Sequence, residues 1–380
     1  MGSQIPNPCY VLEVDKLRSN LEKIEYVRKS SGVTILLAFK AFAFWPVLNI
    51  VREKFGVATA SSLNEVMLAN TYMLSKPHTY APVYSPEDID EIIERSSHLT
   101  FNSLGLIERY REKIRQSRNK DLSVGLRVNP ELSQVETDLY NPCLPGSRLG
   151  VPADELPEEL PEEIEGFHVH ALCESSAAET ASLLGQIEKK FGRWLGKLKW
   201  LNIGGGHLMT RAGYDTEGLI EALRAFRSRH QNLELILEPG SAFGWQTGYL
   251  TSRVEDIVEH GGVKTAMLNV SFACHMPDCL EMPYKPVIRG AHHEPVAGLP
   301  TYRMGGCSCL SGDYVGEWSF DKELKVGDEI IFEDMMHYTT VKTTMFNGVK
   351  HPSMAVQDSK DSEIRVVRSF DFSDYVGRMG

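Results

Sequence analysis

Three chemically capable groups come immediately after short apolar runs of the sequence: Lys40, the triplet Gly204-Gly205-Gly206, and Glu238. A buried lysine avoids the cost of desolvation only if its pKa falls or it becomes an imine. Consecutive glycines let backbone N–H groups surround an anion, and a carboxylate can pair with a positively charged nitrogen. Taken singly, each group has an ordinary alternative, since a lysine at a strand end can turn to solvent and a glycine triplet can be a plain turn.

Two histidines, His168 and His170, lie two residues apart in another apolar run. In a β-strand they share one face. Such a pair supplies too few ligands for a zinc site, so we predict no metal. Stacking on a ring, packing and hydrogen bonding remain the possible roles of these side chains.

The elements that position these groups follow a repeated pattern. Between about residues 14 and 245, short apolar segments alternate with amphipathic ones, which is typical of βα units. A helix is predicted over Asp15–Lys29, and Ser62 three residues before Glu65 predicts another helix start. Eight strands are predicted, at Ile35–Phe39, Val57–Ala60, Thr79–Pro82, Leu99–Asn102, Val124–Val128, Phe167–His170, Trp200–Ile203 and Leu235–Glu238. Eight parallel strands favour an α/β fold with a closed, TIM-like (β/α)8 barrel, whose functional groups lie at the carboxyl ends of the strands.

The pattern changes at about residue 246. Beyond it, strand-like runs are separated by turns with little helical periodicity, which favours a mainly β unit. These runs are Thr247–Val254, Ala266–Ala273, Glu329–Phe332 and Arg365–Val367. We therefore predict two domains: a barrel over residues 14–245, and a second, mainly β domain over 246–380 that includes the N-terminal residues 1–13.

The strand-end groups are predicted to meet at one rim of the barrel. A lysine that can form a Schiff base, an aromatic base that can stack, a glycine loop for an anion and a carboxylate are the parts that pyridoxal 5'-phosphate requires. Their placement on a common rim therefore predicts a site for this cofactor.

The order of the motifs resembles the fold-type III pyridoxal-phosphate decarboxylases, which include ornithine and diaminopimelate decarboxylases. The resemblance covers nearly the whole chain. It rests on Lys40, His170, the glycine triplet, Glu238-Pro239-Gly240, Cys309-Leu310-Ser311-Gly312-Asp313 and Tyr338. Within the family, segments 168–174 and 280–286 are most similar to the carboxynorspermidine (carboxyspermidine) decarboxylases. The resemblance implies decarboxylation of carboxynorspermidine or carboxyspermidine to norspermidine or spermidine in polyamine biosynthesis.

The resemblance also implies roles for residues that bind the cofactor. Lys40 would hold it as a Schiff base and His170 would stack on its ring. Glu238 would keep the ring nitrogen protonated, so that the ring accepts electrons when CO2 leaves. The triplet Gly204–Gly206 and Tyr338 would hold the phosphate.

Further residues are implied at the substrate. Cys309 matches the family's cysteine that returns a proton to the substrate carbon, and its segment is donated across a dimer interface, which implies a homodimer with shared sites. A substrate with several ammonium groups also needs carboxylates to pair with them. The candidates are Asp278, Glu281, Asp313, which matches an acidic residue facing the distal amine, and Glu174. For Glu174, a hydrogen bond within its own loop is the alternative.

One position departs from the relatives. Ser241 follows Glu-Pro-Gly where the diaminopimelate and ornithine enzymes usually have arginine, which weakens the diaminopimelate interpretation because a distal carboxylate would lose its receptor. A diaminopimelate or ornithine decarboxylase remains an alternative, as does a non-catalytic homologue that binds the cofactor. The presence of Lys40, Glu238 and Cys309 together argues against the non-catalytic homologue.

The composition excludes other classes of protein. The 380 residues include 40 basic and 51 acidic side chains, giving a net charge of −11, whereas a chain that neutralises phosphates of nucleic acid leans the other way. No apolar run approaches the ~20 residues of a membrane span. The seven cysteines lack the repeated C-x-x-C spacing of a zinc or disulfide framework. We therefore expect a cytoplasmic protein with no nucleic-acid or membrane partner. The acidic surplus suits cationic partners, although on a whole chain it is usually a solubility feature. The polyamine substrate is what the family resemblance implies.

Overall fold

The computed structural model describes residues 5–132, 134–135, 138–358 and 363–380. The chain divides into two compact units, Asn20–Phe243 and the described parts of 1–19 together with 244–380. We refer to them as the barrel unit and the sheet unit.

The strands and helices are numbered in chain order. The strands are β1 (Cys9–Glu13), β2 (Thr34–Ile35), β3 (Leu37–Ala38), β4 (Ala58–Ala60), β5 (His78–Tyr80), β6 (His98–Phe101), β7 (Ser123–Asn129), β8 (Val151–Pro152), β9 (Ile164–His168), β10 (Trp200–Asn202), β11 (Glu234–Leu237), β12 (Gly248–His260), β13 (Val263–Leu268), β14 (Thr301–Gly305), β15 (Tyr314–Ser319), β16 (Glu329–Glu333), β17 (Ser353–Asp358) and β18 (Glu363–Arg368). The α-helices are α1 (Val14–Ser31), α2 (Leu48–Arg52), α3 (Leu63–Leu68), α4 (Ile89–Arg95), α5 (Leu104–Gln116), α6 (Ala177–Leu195), α7 (Thr216–Arg229), α8 (Ser241–Gly244), α9 (Phe272–His275), α10 (Asp278–Glu281) and α11 (Phe372–Val376). Short 3-10 helices lie at Trp45–Val47, Asp138–Tyr140, Ala153–Glu155, Thr339–Val341 and Phe346–Gly348, and a π-helix at Ala69–Met73.

The barrel unit is built on a parallel sheet in the order β2-β11-β10-β9-β7-β6-β5-β4-β3, with β8 beside β7. The two ends of this order, β2 and β3, are separated only by Leu36, whose N–H donates to the carbonyl of Leu237 over 2.9 Å. The first predicted strand is thus split into two short segments that pair with opposite neighbours, which brings the sheet round on itself. The predicted barrel and its eight strand positions are confirmed.

The helices form for the predicted reasons. In α1, the stripe of Leu17, Leu21, Ile24 and Val27 is buried, because spacings of three and four residues place these side chains on one helix face. Helix α3 begins after Ser62, whose Oγ accepts the N–H of Glu65 over 3.3 Å. The Glu65 carboxylate in turn accepts the N–H of the residue before the cap, Ser61, over 2.7 Å.

The interior of the barrel is filled near the amino ends of its strands by one large side chain. Trp200 lies over Gly125 and Gly166, where an added Cβ would come within 2.2 and 2.0 Å of the indole. The indole N–H donates to Ser123 Oγ over 2.8 Å. Two paired glycines on β7 and β9 therefore leave room for the tryptophan of β10.

The sheet unit is a mixed sheet in the order β15-β14-β13-β12-β1-β17-β18, with β16 beside β12. One strand ends earlier than predicted. The run Ala266–Ala273 leaves the strand at Leu268, because Ser271 caps α9 by accepting the N–H of Cys274 over 3.1 Å. No described helix combines the length and apolar character needed to cross a bilayer.

Candidate active site

The predicted strand-end groups of the barrel unit lie on one rim. Lys40 is two residues beyond β3, His170 two beyond β9, Gly204 two beyond β10, and Glu238 follows β11 directly. Because the strands are parallel, all four residues follow carboxyl ends on the same side of the barrel.

Lys40 and His170 are in contact. The Nζ of Lys40 lies 3.1 Å from Nε2 of His170. The other ring nitrogen of His170, Nδ1, accepts the backbone N–H of Gly205 over 3.0 Å. Since a neutral imidazole that accepts at Nδ1 carries its proton on Nε2, His170 donates to Lys40, and the lysine must accept with a free lone pair. This geometry selects the uncharged amine of Lys40, the form that attacks a carbonyl carbon.

Electrostatics favours the same protonation states. Burial lowers the pKa of Lys40, and the nearby guanidinium of Arg127 lowers it further against the opposing pull of Glu238. Burial also holds the pKa of His170 well below its usual range, with the charge of Arg127 acting in the same direction. Both groups are therefore biased toward their neutral forms.

Arg127 is a buried cation beside these groups. Its Nη2 donates to the backbone carbonyl of His170 over 3.2 Å and its Nη1 to the hydroxyl of Tyr80 over 2.7 Å. The guanidinium also lies over the Tyr80 ring at 4.8 Å. Arg127 thus fixes the backbone of the residue whose ring contacts Lys40.

Glu238 is a buried carboxylate held in its charged form. Its Oε1 accepts a hydrogen bond from Asn202 Nδ2 over 2.6 Å, and its Oε2 lies 3.5 Å from His168 Nε2. Burial alone would raise the pKa of Glu238, but the interactions with His168 and Asn202 outweigh burial and lower that pKa to about 2. The carboxylate is therefore ionised across the physiological range and can attract a proton on a nearby ring nitrogen.

The triplet Gly204–Gly206 has no space for side chains. A Cβ on Gly204 would lie 2.5 Å from His170 Nδ1, and a Cβ on Gly205 would lie 2.6 Å from the carbonyl oxygen of Glu238. Gly204 and Gly206 have φ angles of 74° and 94°, which disfavour any residue with a side chain. The triplet brings backbone close to the site's other groups.

Two of the triplet's N–H groups already have acceptors. Gly204 donates to Asn202 Oδ1 over 2.9 Å, and Gly205 donates to His170. The triplet thus orients Asn202 and His170 as well as lining the site. Holding of a phosphate by these glycines stays a prediction.

The barrel rim fits the predicted cofactor. It offers a neutral amine on Lys40, a permanently ionised carboxylate on Glu238, and a backbone cradle at Gly204–Gly206 that a single Cβ would fill. An amine for the aldehyde, a carboxylate for the ring nitrogen and a small-residue cradle for the phosphate are the donor set that pyridoxal phosphate needs. Among the residues that the structure describes, no group of three or more metal-ligating side chains is present.

Sequence reasoning missed Arg127, Asn202 and Tyr80. Each lies within or at the end of a barrel strand, and Arg127 and Asn202 are buried. An arginine inside the apolar strand β7 was the available signal, because a buried cation is costly unless it serves a site.

The predicted residues of the sheet unit form two groups. Cys309 is exposed in the loop between β14 and β15. Asp313, in the same loop, is buried: its Oδ2 accepts from the N–H and hydroxyl of Ser308, and its Oδ1 accepts the N–H of Ala273. Asp313 therefore organises its own loop. A contact of this carboxylate with a substrate amine stays a prediction.

Asp278 and Glu281 form the second group. Both lie on the single turn α10, three residues apart, and both carboxylates contact the ammonium of Lys342, at 2.5 Å for Asp278. The pair therefore surrounds one amine-type cation. Tyr338, four residues before Lys342, has a φ of 42°, a strained value for a tyrosine. Holding of a phosphate by Tyr338 stays a prediction.

Glu174 lies in the barrel unit, in the loop after β9. It is exposed and has a φ of 48°. The next residue, Ser175, donates its N–H to the carbonyl of Gly206 over 2.7 Å, which ties this loop to the glycine triplet. The role of Glu174 toward a substrate stays a prediction.

Comparison with known proteins places these observations in a family. The family model described as pyridoxal-dependent decarboxylase, C-terminal sheet domain, matches residues 9–336. A carboxyaminopropylagmatine decarboxylase from Synechocystis sp. is 50% identical over 378 residues, covering 100% of this chain and 96% of the relative. A carboxynorspermidine/carboxyspermidine decarboxylase from Campylobacter jejuni is 41% identical over 98% of both chains. The crystal structure of carboxynorspermidine decarboxylase with norspermidine, also from Campylobacter jejuni, superposes with a TM-score of 0.89 at 40% identity, covering 98% of this chain and 100% of that one.

Proposed function

We propose a substrate class on the premise that the chain belongs to the pyridoxal-dependent decarboxylase family and is an enzyme that uses pyridoxal 5'-phosphate. The reaction is removal of the α-carboxyl group, as CO2, from a carboxylated polyamine in polyamine biosynthesis. The observation that supports it most strongly is full-length similarity of 41–50% identity to decarboxylases named for such substrates.

The barrel residues supply what the reaction requires of the protein. When bound, pyridoxal phosphate provides an electron-accepting ring that stabilises negative charge at the substrate's α-carbon. Lys40, neutral and oriented by His170, would hold the cofactor by its aldehyde carbon. Glu238, ionised down to a pKa of about 2, would hold the proton on the ring nitrogen. His170 would cover one face of the ring.

Return of the proton falls to Cys309. Its Sγ–H bond breaks, a C–H bond forms at the α-carbon, and the thiolate takes a proton from water. A thiol is a suitable donor because a positioned side chain can transfer a proton within the site without waiting for solvent.

Two candidate substrates follow from the relatives. Similarity to the carboxynorspermidine/carboxyspermidine decarboxylases supports a polyamine substrate that ends in an ammonium group. Similarity to the relative with 50% identity supports carboxyaminopropylagmatine as the substrate. The agmatine part of that molecule ends in a planar guanidinium. The two ends differ chemically, since a guanidinium pairs side-on with a carboxylate and an ammonium does not.

A substrate panel tests the proposal. The purified holoenzyme is assayed for CO2 release on carboxynorspermidine, carboxyspermidine, carboxyaminopropylagmatine, diaminopimelate and ornithine. We expect a kcat/KM at least about 100-fold higher on one carboxylated polyamine than on diaminopimelate or ornithine. A wrong substrate leaves polar groups of the site without hydrogen-bond partners, and this lowers its kcat/KM by at least that factor. Faster turnover of diaminopimelate or ornithine would contradict the proposal, and no CO2 from any of them would favour a non-catalytic protein that binds the cofactor.

We also propose that the enzyme is a cytoplasmic homodimer in which Cys309 serves the site of the partner subunit. The family resemblance supports the shared site, and the lack of a zinc or disulfide spacing among the seven cysteines of the sequence supports the location. Lys40→Ala subunits cannot hold the cofactor and Cys309→Ala subunits cannot return the proton. Mixing the two should restore about a quarter of the wild-type rate of amine formation, because half of the random dimers then contain one intact site. No restoration in verified mixed dimers would contradict shared sites.

A further inference from the structure

The loop that contains Cys309 is held by its backbone N–H groups. Cys307 donates its N–H to the carbonyl of Val270 over 2.9 Å. Ser308 donates its N–H to Asp313 over 3.0 Å, and Cys309 donates its N–H to Asn347 Oδ1 over 2.8 Å. The hydrogen bond to Asn347 is thus the contact made directly by the cysteine's own backbone.

Asn347 is suited to this position by its backbone. Its φ is 56° and its ψ 12°, and Gly348 follows with a φ of 69°. The N–H of Val349 donates to the carbonyl of Phe346 over 3.1 Å and closes a turn with two consecutive left-handed residues. Asn-Gly is the preferred pair for such a turn, because asparagine tolerates a left-handed φ better than other residues with side chains. Glycine would also fit this turn, and what asparagine adds is the side-chain oxygen that accepts the N–H of Cys309.

We propose that Asn347 is a positioning residue that fixes Cys309 for proton transfer to the substrate's α-carbon. The proposal rests on the proposed function, in which Cys309 is the proton donor. The loop is exposed at Cys309, and the adjacent Leu310 is 44% exposed, so packing against its neighbours restrains this tip little. The hydrogen bond that Cys309 donates to Asn347 limits the directions in which the thiol points.

The chemistry makes this role measurable apart from overall activity. Loss of CO2 does not need the thiol, whereas formation of the amine needs a proton at the α-carbon. If that proton goes instead to the cofactor's carbon, the substrate nitrogen stays with the cofactor, which is recovered in its aminated form, and hydrolysis leaves the substrate carbon as an aldehyde. The ratio of amine formed to CO2 released therefore reports where the proton goes.

Two variants separate the turn from the hydrogen bond. Asn347→Gly keeps the left-handed turn and removes the acceptor, while Asn347→Asp keeps both the tolerance for the turn and an oxygen acceptor. In Asn347→Gly holoenzyme we expect the aldehyde fraction to rise about 3- to 10-fold, the effect of one lost hydrogen bond. Asn347→Asp should stay near the wild-type ratio. KM for CO2 release should be unchanged in both.

A second readout does not depend on activity. Backbone hydrogen exchange, measured by mass spectrometry on the full chain, should be several-fold faster at Cys309 in Asn347→Gly and close to wild type in Asn347→Asp. Unchanged exchange in Asn347→Gly would overturn the proposed hydrogen bond.

A third variant distinguishes failure of this proposal from failure of the proposed function. If Cys309→Ala keeps the wild-type ratio of amine to CO2, Cys309 is not the proton donor. Both the proposed role of Cys309 and the positioning role of Asn347 are then wrong. If Cys309→Ala lowers the ratio and Asn347→Gly does not, the positioning role of Asn347 alone is overturned. Equal losses of amine and CO2 in Asn347→Gly, at an unchanged ratio, would likewise overturn it.

Discussion

The Nζ atom of Lys40 lies 3.1 Å from Nε2 of His170, whose opposite nitrogen accepts the N–H of Gly205. One backbone N–H therefore sets the tautomer of a histidine, and the histidine sets the protonation state of a lysine. This relay couples the strand-end lysine to the glycine triplet through the ring of His170.

Gly205→Ala tests the close approach in this relay. A Cβ would lie 2.6 Å from the Glu238 carbonyl oxygen, so backbone must shift and the hydrogen bond to His170 weakens. We expect pyridoxal phosphate to bind about 10- to 100-fold more weakly, as overpacking of this size costs 1–3 kcal/mol. Absorbance titration of the apoprotein measures the affinity.

Gly185→Ala is the matched control. Gly185 lies within α6, and an added Cβ meets nothing within 4 Å. This variant should bind the cofactor normally and be stabilised by up to about 1 kcal/mol, because alanine is the better helix former. Normal cofactor affinity in Gly205→Ala would show that the glycine is dispensable.

Glu238→Gln tests the ionised carboxylate. The amide can still meet Asn202, but it cannot hold a proton on a ring nitrogen by charge. We expect kcat to fall about 100-fold or more, the usual cost of removing one electrostatic partner of the reacting group. Glu234→Gln, at the exposed start of the same strand, should keep kcat within a factor of two. Similar losses in the two variants would point to a disturbed strand instead.

Asp278→Asn tests the carboxylate pair that surrounds Lys342. If Asp278 and Glu281 also meet a substrate cation, KM for the best polyamine substrate should rise about 10- to 100-fold, since a hydrogen bond to a charged group contributes 1.5–3 kcal/mol. Glu294→Gln, whose side chain is 77% exposed, is the control. An unchanged KM with a lower melting temperature would limit Asp278 to its structural bond with Lys342.

Stability should fall in mild acid. Burial lowers the pKa of His207 to about 4 and that of His275 to about 3, so both stay neutral in the folded chain at pH 5.5, while the unfolded chain takes up protons near pH 6.5. The stabilisation is fully present above pH 6.5 and is lost as the pH falls toward the folded values. For each histidine, the free energy of unfolding should fall by about 1.3 kcal/mol between pH 7.5 and pH 5.5.

Urea unfolding at the two pH values measures this effect. In His275→Asn the amide oxygen can replace Nδ1 as acceptor for the N–H of Ser271, so the variant should fold. Its midpoint should change less with pH than that of the wild type. An equal pH dependence in the two proteins would contradict a neutral, buried His275.

Much of the fold was predictable because apolar segments, and the polar or glycine residues that end them, can be recognised in the sequence. Lys40 and Glu238 interrupt apolar runs at strand ends, and a parallel barrel brings such ends to one rim. The split of the first strand at Leu36 was not predictable, since it follows from closure of the whole sheet. The early end of the strand before Ser271 depends on a cap that competes with an extended run of apolar residues.

The site residues that sequence analysis missed are those whose role depends on contacts with residues distant in the sequence. Asn202 reads as an ordinary strand residue until its amide meets Glu238 and the N–H of Gly204. Arg127 acts through the carbonyl of His170 and the ring of Tyr80, which no sequence spacing relates to it. Such contacts arise only once strands of the barrel lie side by side.

The central claim is that Lys40 is the amine that holds the cofactor. Borohydride reduction of the holoenzyme, followed by proteolysis and mass spectrometry, fixes the cofactor on the lysine that binds it. We predict the label on the peptide containing Lys40, its absence in Lys40→Ala, and its retention in a Lys199→Ala control, which replaces an exposed lysine directly before β10. A label on another lysine of the wild type, or none on a protein that binds the cofactor, would contradict the account.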